Sequence, residues 1–253
     1  VSLSSDGSVV AIGATGNDDN GTNSGQVRIY QNVNDTWTQV GSDIDGEAAG
    51  DFSGWAVSLS SDGSVVAIGA EGNDGNGSNS GHVRIYKNVN NSWSQIGSDI
   101  DGEDSLDLSG LSVSLSSDGS VVAIGAPRND ANGNNSGHVR IFKNINNSWV
   151  QIGSDIDVEA AEDNSGMSVS LSIDGSVVAI GASGNDGNGA DSGHVRIYRN
   201  INNIWTQVGS DIDGEAANDQ SGKSVSLSSD GSVVAIGAQG NDGNGNYSGH
   251  VRI

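Results

Sequence analysis

A chain of 253 residues with 39 glycines, one proline and no cysteine has room for one large all-β domain or two ordinary ones, and without a Gly-X-Y period it is not a collagen. Its formal net charge of −22 excludes nucleic acid and anionic lipid as partners, because an acidic surface repels polyanions. No apolar run approaches the ~18 residues that a membrane helix needs, so we expect no membrane insertion.

The dominant feature of the sequence is a 56-residue repeat. The segment VSLSSDGSVVAIGA opens the chain and returns four times, once with the single change Ile173, at Val57, Val113, Val169 and Val225. This period divides the chain into units 1–56, 57–112, 113–168, 169–224 and an incomplete fifth, 225–253. No linker separates the units, so we predict a single array over residues 1–253, and we expect it to be part of a longer chain.

Each unit carries the same succession of predicted elements. In the second unit, alternating or apolar β-branched runs predict four strands at 55–60, 64–70, 82–88 and 92–100. Asp62-Gly63 predicts a hairpin between the first two strands, with a positive φ at both turn residues. The second strand is nearly all apolar, which predicts burial on both faces. Polar loops at 71–81 and 101–110 complete the unit, and no segment has the helical period of 3.6.

One unit is too small to fold alone. About a dozen apolar side chains do not offset the conformational entropy of ordering 56 residues, so each sheet must bury its faces on copies of itself. Four-stranded sheets that stack in this way form a propeller. The predicted fold class is therefore all-β, a β-propeller built from 56-residue four-stranded antiparallel blades, with about four and a half blades present.

A family resemblance supports this fold. Residues 109–142, SGLSVSLSSDGSVVAIGAPRNDANGNNSGHVRIF, resemble the FG-GAP repeat, the blade motif of integrin-α-type propellers. Gly125-Ala126-Pro127 is the GAP element, whereas Ser-Gly stands where the family has Phe-Gly. The resemblance implies a seven-bladed propeller and a family that includes adhesion proteins, lipases and structural proteins. The family's calcium motif, Asp-X-Asp-X-Asp-Gly in the first hairpin, is absent, because SSDGS has one carboxylate.

An acidic segment after the fourth strand suggests another cation site. In DIDGEAAGD, carboxylates fall at positions one, three, five and nine, a spacing typical of calcium loops, whose oxygen ligands suit Ca²⁺. The predicted Ca²⁺ ligands are Asp43, Asp45, Glu47, Asp51, Asp99, Asp101, Glu103, Asp107, Asp155, Asp157, Glu159, Asp163, Asp211, Asp213, Glu215 and Asp219. The alternative is that these side chains cap the loop, accept backbone N–H bonds and hold the arginine of the third strand.

Three other side chains recur once per unit. Histidine opens the third strand at His82, His138, His194 and His250, with Gln26 in the first unit. No second His or Cys lies at ligand spacing within a unit, so we predict packed histidines rather than metal ligands or catalytic bases. The strand-three arginines (Arg28, Arg84, Arg140, Arg196, Arg252) are predicted to pair with an Asp of their own or the next blade. Trp37, Trp93, Trp149 and Trp205 are predicted to pack on the outer edge of the blade, and Trp55 to be exposed.

No nucleophile elbow, phosphate loop, paired general acid and base or zinc motif occurs in the chain, so we expect no enzyme activity. We predict an extracellular or cell-surface binding, adhesion or structural module with Ca²⁺ as a stabilising ion. Its partners would be copies of itself, or a protein or glycan that binds the long-loop face. This face carries the loops equivalent to 71–81 and 101–110 in each unit. Two alternatives stay open, namely an accessory propeller of a secreted hydrolase or lyase, and a subunit of an extracellular filament or sheath. Sequons support secretion and glycosylation at Asn20, Asn34, Asn76, Asn90, Asn134, Asn146 and Asn246.

Overall fold

The computed structural model describes residues 1–157 and 160–253, which form five antiparallel sheets, one for each unit. The first sheet contains β1 (Ser2–Leu3), β2 (Val9–Gly13), β3 (Gln26–Val33), β4 (Thr36–Gln39) and β5 (Ile44–Asp45). The second contains β6 (Val57–Leu59), β7 (Val65–Ala70), β8 (His82–Val89), β9 (Ser92–Gln95) and β10 (Ile100–Asp101). The third contains β11 (Ser112–Leu115), β12 (Val121–Ala126), β13 (His138–Ile145), β14 (Ser148–Gln151) and β15 (Ile156–Asp157). The fourth contains β16 (Ser165–Leu171), β17 (Val177–Ala182), β18 (His194–Ile201), β19 (Ile204–Gln207) and β20 (Ile212–Asp213), and the fifth contains β21 (Ser221–Leu227), β22 (Val234–Ala238) and β23 (His250–Arg252).

Every complete sheet has the same topology, in which the first four strands form an antiparallel meander and the short fifth strand pairs with the third. The predicted all-β propeller fold with 56-residue, four-stranded blades is thereby confirmed. The chain divides into two compact units, residues 1–122 with 142–150 and residues 123–141 with 151–253, so the division passes through the third blade. Within the described residues, no helix is long and apolar enough to span a bilayer.

The second strand forms the core of the second, third and fourth blades, where all six of its residues are buried as its apolar sequence predicts. All six residues of β7 are buried, and Val66 and Ile68 pack with Val27, Ile29 and Leu59. The hairpin before this strand differs from the prediction. Only Gly63 has a positive φ, +70°, and the turn is closed by the Gly63 amide on the Ser60 carbonyl. Because the loop has four residues rather than two, Asp62 does not need the left-handed conformation.

The predicted fourth strand is interrupted. Residues 92–100 form β9 and β10, which pair with opposite ends of β8, and the chain between them turns at Gly97 with φ +78°. A Cβ at Gly97 would lie 2.7 Å from Cδ1 of Trp149, so the glycine leaves room for the tryptophan of the next blade. The break carries the acidic segment back along the start of the third strand.

Tryptophans bind each blade to the one before it. Trp93 Nε1 donates to the Val40 carbonyl at 2.8 Å, and Trp149 and Trp205 repeat this bond with the carbonyls of Ile96 and Ile152. The tryptophans therefore pack at blade junctions rather than only on an outer edge. Trp55 is 51% exposed, which confirms the prediction for that residue.

Paired glycines also lie at the junctions, and they explain the two glycines of the repeat motif. The Gly54 amide donates to the Gly69 carbonyl in its own blade, while the Gly54 carbonyl lies against Gly13 of the preceding blade. A Cβ at Gly13 would be 1.9 Å from that oxygen, and a Cβ at Gly69 would be 2.0 Å from the Gly110 carbonyl oxygen. The glycine of the Ser-Gly pair and the glycine of the Gly-Ala pair thus meet between blades, where no side chain fits.

Candidate functional site

The short fifth strand of each blade places an aspartate beside the first residue of the third strand. Asp101 of β10 is opposite His82, and Asp213 of β20 is opposite His194. In the first blade Gln26 takes the position of the histidine and donates to Asp45 Oδ1 at 2.8 Å. The acidic segment and the strand-three histidine are therefore neighbours by sheet pairing, although they are 19 residues apart in sequence in each case.

The last aspartate of the acidic segment closes its loop. Asp51 is 3% exposed, and its Oδ2 accepts hydrogen bonds from the amides of Glu47 and Ala48 and from Asn73 Nδ2 of the next blade, at 3.2, 3.0 and 3.3 Å. Asp219 makes the equivalent bonds with the Ala216 amide and Asn241. Asp107 and Asp163 are buried in the same position. Asp51 and Asp219 thus act as loop caps that also join two blades.

The first aspartate of the segment faces the strand-three arginine. Arg28 Nε lies 3.2 Å from Asp43 Oδ2, and Arg196 forms a bidentate pair with Asp211 at 2.9 and 2.7 Å. Pairing within the blade is thereby confirmed for these two arginines. A glutamine of the fourth strand donates to the same aspartate in each blade, at Asp43, Asp99, Asp155 and Asp211. Hydrogen bonding by Arg196 lowers the pKa of Asp211.

Arg84 differs, because its partner belongs to the preceding blade. Its Nη1 lies 3.4 Å from Glu47 Oε1, and its Nη2 donates to the Asp45 carbonyl at 2.7 Å. Glu47 Oε2 faces His82 Nδ1 at 3.9 Å, and Glu215 Oε2 faces His250 Nδ1 at 3.7 Å. The glutamate of one acidic segment therefore extends over the third strand of the next blade.

Among the described residues, two histidine-centred clusters that each lie within one compact unit have ligand atoms close enough to hold a metal ion. The ligand atoms of Glu47, His82 and Asp99 lie within 4.8 Å of one another, as do those of His194, Asp211 and Asp213. Burial, and then the charge of the neighbouring arginine, lowers the pKa of His82 and of His194, while the nearby carboxylates oppose this change. Both shifts favour the neutral imidazole, which is the form that binds metals.

In the first acidic segment the structure gives each predicted calcium ligand a different partner, whereas Asp211 and Asp213 of the fourth segment lie together beside His194. Asp43 pairs with Arg28, Asp45 accepts from Gln26, Glu47 reaches the next blade and Asp51 caps the loop. Asp155 accepts from Gln151, Asp157 lies opposite His138, and Glu103 is exposed. Glu159 lies outside the described residues. The calcium prediction stays a prediction, and the described contacts are those of the capping alternative.

The first hairpin, where the resembled family has its calcium motif, uses its one carboxylate to close the turn. Asp62 Oδ1 accepts from the Ser60 hydroxyl at 2.8 Å and the Ser64 amide at 2.9 Å, and Oδ2 accepts from the Ser64 hydroxyl at 2.9 Å. Both oxygens of this one carboxylate are engaged inside the turn. The hairpin therefore does not fit a calcium ion, which needs six to eight oxygen ligands.

These hairpins make the fold sensitive to acid. The Ser8 amide, followed by the hydroxyls of Ser8 and Ser4, lowers the pKa of Asp6 to about 2 from 3.8. The pKa of the equivalent carboxyl is also lowered in the other hairpins, at Asp62, Asp118, Asp174 and Asp230. A lowered folded-state pKa means that the unfolded chain binds more protons between about pH 4 and 2, so the stabilisation is complete above this window and lost within it.

We expect the melting midpoint to fall steeply between about pH 4 and 2, which circular dichroism melts across the pH range will measure. The double variant Asp6→Asn/Asp230→Asn removes two of the titrating carboxyls. Its midpoint should be lower at pH 7 but should change less between pH 4 and 2. Parallel pH profiles for the two proteins would contradict this role of the hairpins.

Comparison with known proteins agrees with the repeated blades. Residues 42–86 match the family model described as FG-GAP repeat, which confirms the resemblance. The fold is that of a β-propeller, and residues 42–86 of it are similar to the FG-GAP repeat. No curated protein matches the chain in sequence. The chain is similar in structure to the periplasmic gluconolactonase of Pseudomonas aeruginosa, with a TM-score of 0.55 and 14% identity, covering 97% of this chain and 66% of that chain. It thus spans slightly less than two thirds of that protein's length, and this low identity shows the fold alone.

Sequence reasoning missed the histidine clusters. It looked for a second His or Cys within a unit, whereas the ligand atoms nearest His82 belong to Glu47 of the preceding unit and to Asp99, 17 residues downstream. A signal was available in the repeat. An aspartate follows His82, His138 and His194 at the same spacing, and once the fourth strand is broken this spacing brings the aspartate back to the start of the third strand.

Proposed function

We propose that the chain is a secreted, non-catalytic binding or structural module, whose long-loop face offers the same acidic and histidine-containing surface in successive blades. The observation that supports this most is repetition. The side chains that a catalytic site would need recur at equivalent positions in successive units, where carboxylates are engaged by arginines or by loop amides. A repeated surface of this kind suits a ligand with several equivalent contacts, such as a protein, a glycan or a further copy of the chain.

The FG-GAP match and the structural likeness to a periplasmic protein favour a position outside the cytoplasm. Calcium as a stabilising ion belongs to the same proposal, through the acidic segments of the long-loop face.

The alternatives are an accessory propeller of a secreted hydrolase, which the complete gene sequence would reveal, and a filament subunit. Molecular mass over a concentration series separates a filament subunit from a monomeric binding module.

The proposal is tested by an assay for hydrolysis. Residues 1–253 should give no turnover of δ-gluconolactone or p-nitrophenyl acetate above that of buffer, because none of the described clusters is unique to one blade. The structural neighbour makes a lactone the strictest choice of substrate. A saturable rate that disappears in His82→Gln or His194→Gln would show that the chain is an enzyme and would overturn the proposal.

A further inference from the structure

His82 combines burial with unsatisfied hydrogen-bonding capacity. The side chain is 1% exposed, and its Nε2 has no hydrogen-bond partner among residues 1–157 and 160–253. Its Nδ1 lies 3.9 Å from Glu47 Oε2, which is too far for a hydrogen bond. A buried polar group in this state costs free energy unless it serves another interaction. The ring is thus a candidate ligand rather than an ordinary packed side chain.

The carboxylates around His82 are arranged to leave one oxygen facing the ring. Arg84 Nη1 lies near Glu47 Oε1, so Oε2 of the same carboxylate is the atom turned toward His82. Asp99 completes the cluster, since its ligand atom lies within 4.8 Å of those of Glu47 and His82. The cluster contains two carboxylates, Glu47 and Asp99, and one arginine, Arg84, so its net charge is negative and favours a cation.

We propose that Glu47, His82 and Asp99 bind a first-row divalent transition metal, with Zn²⁺ as the type ion. One imidazole nitrogen and two carboxylate oxygens, with water as a further ligand, form a common zinc ligand set. Ca²⁺ is disfavoured here because it takes oxygen ligands. Ligand atoms of a tetrahedral zinc site lie ~3.4 Å apart, given metal–ligand distances of about 2.1 Å. The half-exposed Glu47 side chain therefore needs to close the 3.9 Å gap by only a few tenths of an ångström.

The same chain contains two internal comparisons. In the fourth blade both oxygens of Asp211 accept hydrogen bonds from Arg196, so the cluster around His194 should bind the metal more weakly. In the first blade Gln26 occupies the histidine position, is 1% exposed, and donates to Asp45 at 2.8 Å and Asp19 at 3.0 Å. Glutamine is therefore accepted at this position by the fold, which makes His82→Gln a conservative variant.

The test uses residues 1–253 freed of metal by chelator and titrated with Co²⁺ in buffer containing excess Mg²⁺ to suppress loose binding to the acidic surface. Visible absorption bands of Co²⁺ report nitrogen and oxygen ligands directly. We expect His82→Gln to remove about one equivalent of tightly bound Co²⁺. Glu47→Gln should weaken that equivalent about tenfold or more, since even changes behind the ligands cost this much. Zn²⁺ should displace the Co²⁺ stoichiometrically.

Asp35→Asn is the matched control, because it removes a surface carboxylate and installs the residue found at positions 91, 147 and 203 of the other units. It should leave the Co²⁺ titration unchanged. Circular dichroism melts establish that each variant is folded, and Glu47→Gln, at an exposed side chain, keeps the test available if His82→Gln is unstable. The proposal is overturned if folded His82→Gln and the unchanged chain bind equal Co²⁺. It is also overturned if millimolar Ca²⁺ displaces the ion as readily as Zn²⁺ does.

Discussion

Replacing Gly69 by alanine should destabilise the chain by about 3 kcal/mol or more. The new Cβ would lie 2.0 Å from the carbonyl oxygen of Gly110 in the next blade, and backbone on both sides leaves it nowhere to move. The φ of Gly69 is not in the left-handed region, so the expected effect comes from the blade junction and not from local backbone strain. Urea unfolding followed by tryptophan fluorescence measures the change in the free energy of unfolding.

Gly16→Ala is the control for this substitution. Gly16 has neither a positive φ nor a close neighbour, since the nearest heavy atom to its Cβ position is Asn23 Oδ1 at 3.8 Å. Its replacement should change the unfolding free energy by no more than about 0.5 kcal/mol. Equal effects at Gly69 and Gly16 would mean that the blades do not approach one another as closely as the structure shows.

Removing the carboxylate of Asp51 should cost about 2–4 kcal/mol, because the amides of Glu47 and Ala48 and the side-chain amide of Asn73 lose a buried acceptor together. Asp51→Asn keeps one acceptor oxygen and should cost less than Asp51→Ala. The same urea titration measures both variants. The loss should be independent of added Ca²⁺ or chelator, because the described role of this side chain is to satisfy protein donors.

Asp35→Asn serves again as the control, since it deletes the same charge at an exposed hairpin and should be nearly neutral. Asp51→Asn that is as stable as Asp35→Asn would contradict the capping role. A loss that appears only with Ca²⁺ present would instead support the calcium site predicted from the acidic spacing.

The period of 56 residues was enough to predict the strands and the propeller. Strand two could be recognised because its apolar run matches burial on both faces, and β7 is buried throughout. The interruption between β9 and β10 was not predictable from residues 92–100, since it depends on Trp149 of the next blade packing at Gly97. The residue pattern within one unit does not indicate which atoms of the neighbouring unit its side chains will contact.

In the functional site, too, contacts within a unit were predictable from the sequence and contacts between units were not. Pairing of the strand-three arginine with an aspartate was predictable for Arg28 and Arg196 from charge alone, whereas the calcium site predicted from the acidic spacing stays a prediction. The contact of Glu47 with Arg84 and its approach to His82 were not, because Glu47 lies in a different unit from these two residues and meets them only when the blades stack. The sequence is compatible with Asp51 as a calcium ligand or as a loop cap, and the hydrogen bonds that it accepts from the amides of Glu47 and Ala48 are those of a cap.

The tryptophan bonds between blades have a consequence for how such a gene can change length. Donor and acceptor are 53 residues apart at Trp93 and Val40, at Trp149 and Ile96, and at Trp205 and Ile152. Each unit thus offers a donor to the unit before it and an acceptor to the unit after it. Unequal crossing-over that inserts or deletes 56 codons leaves every remaining tryptophan with an equivalent carbonyl upstream, so recombination between near-identical repeats preserves the junction chemistry while altering the number of blades.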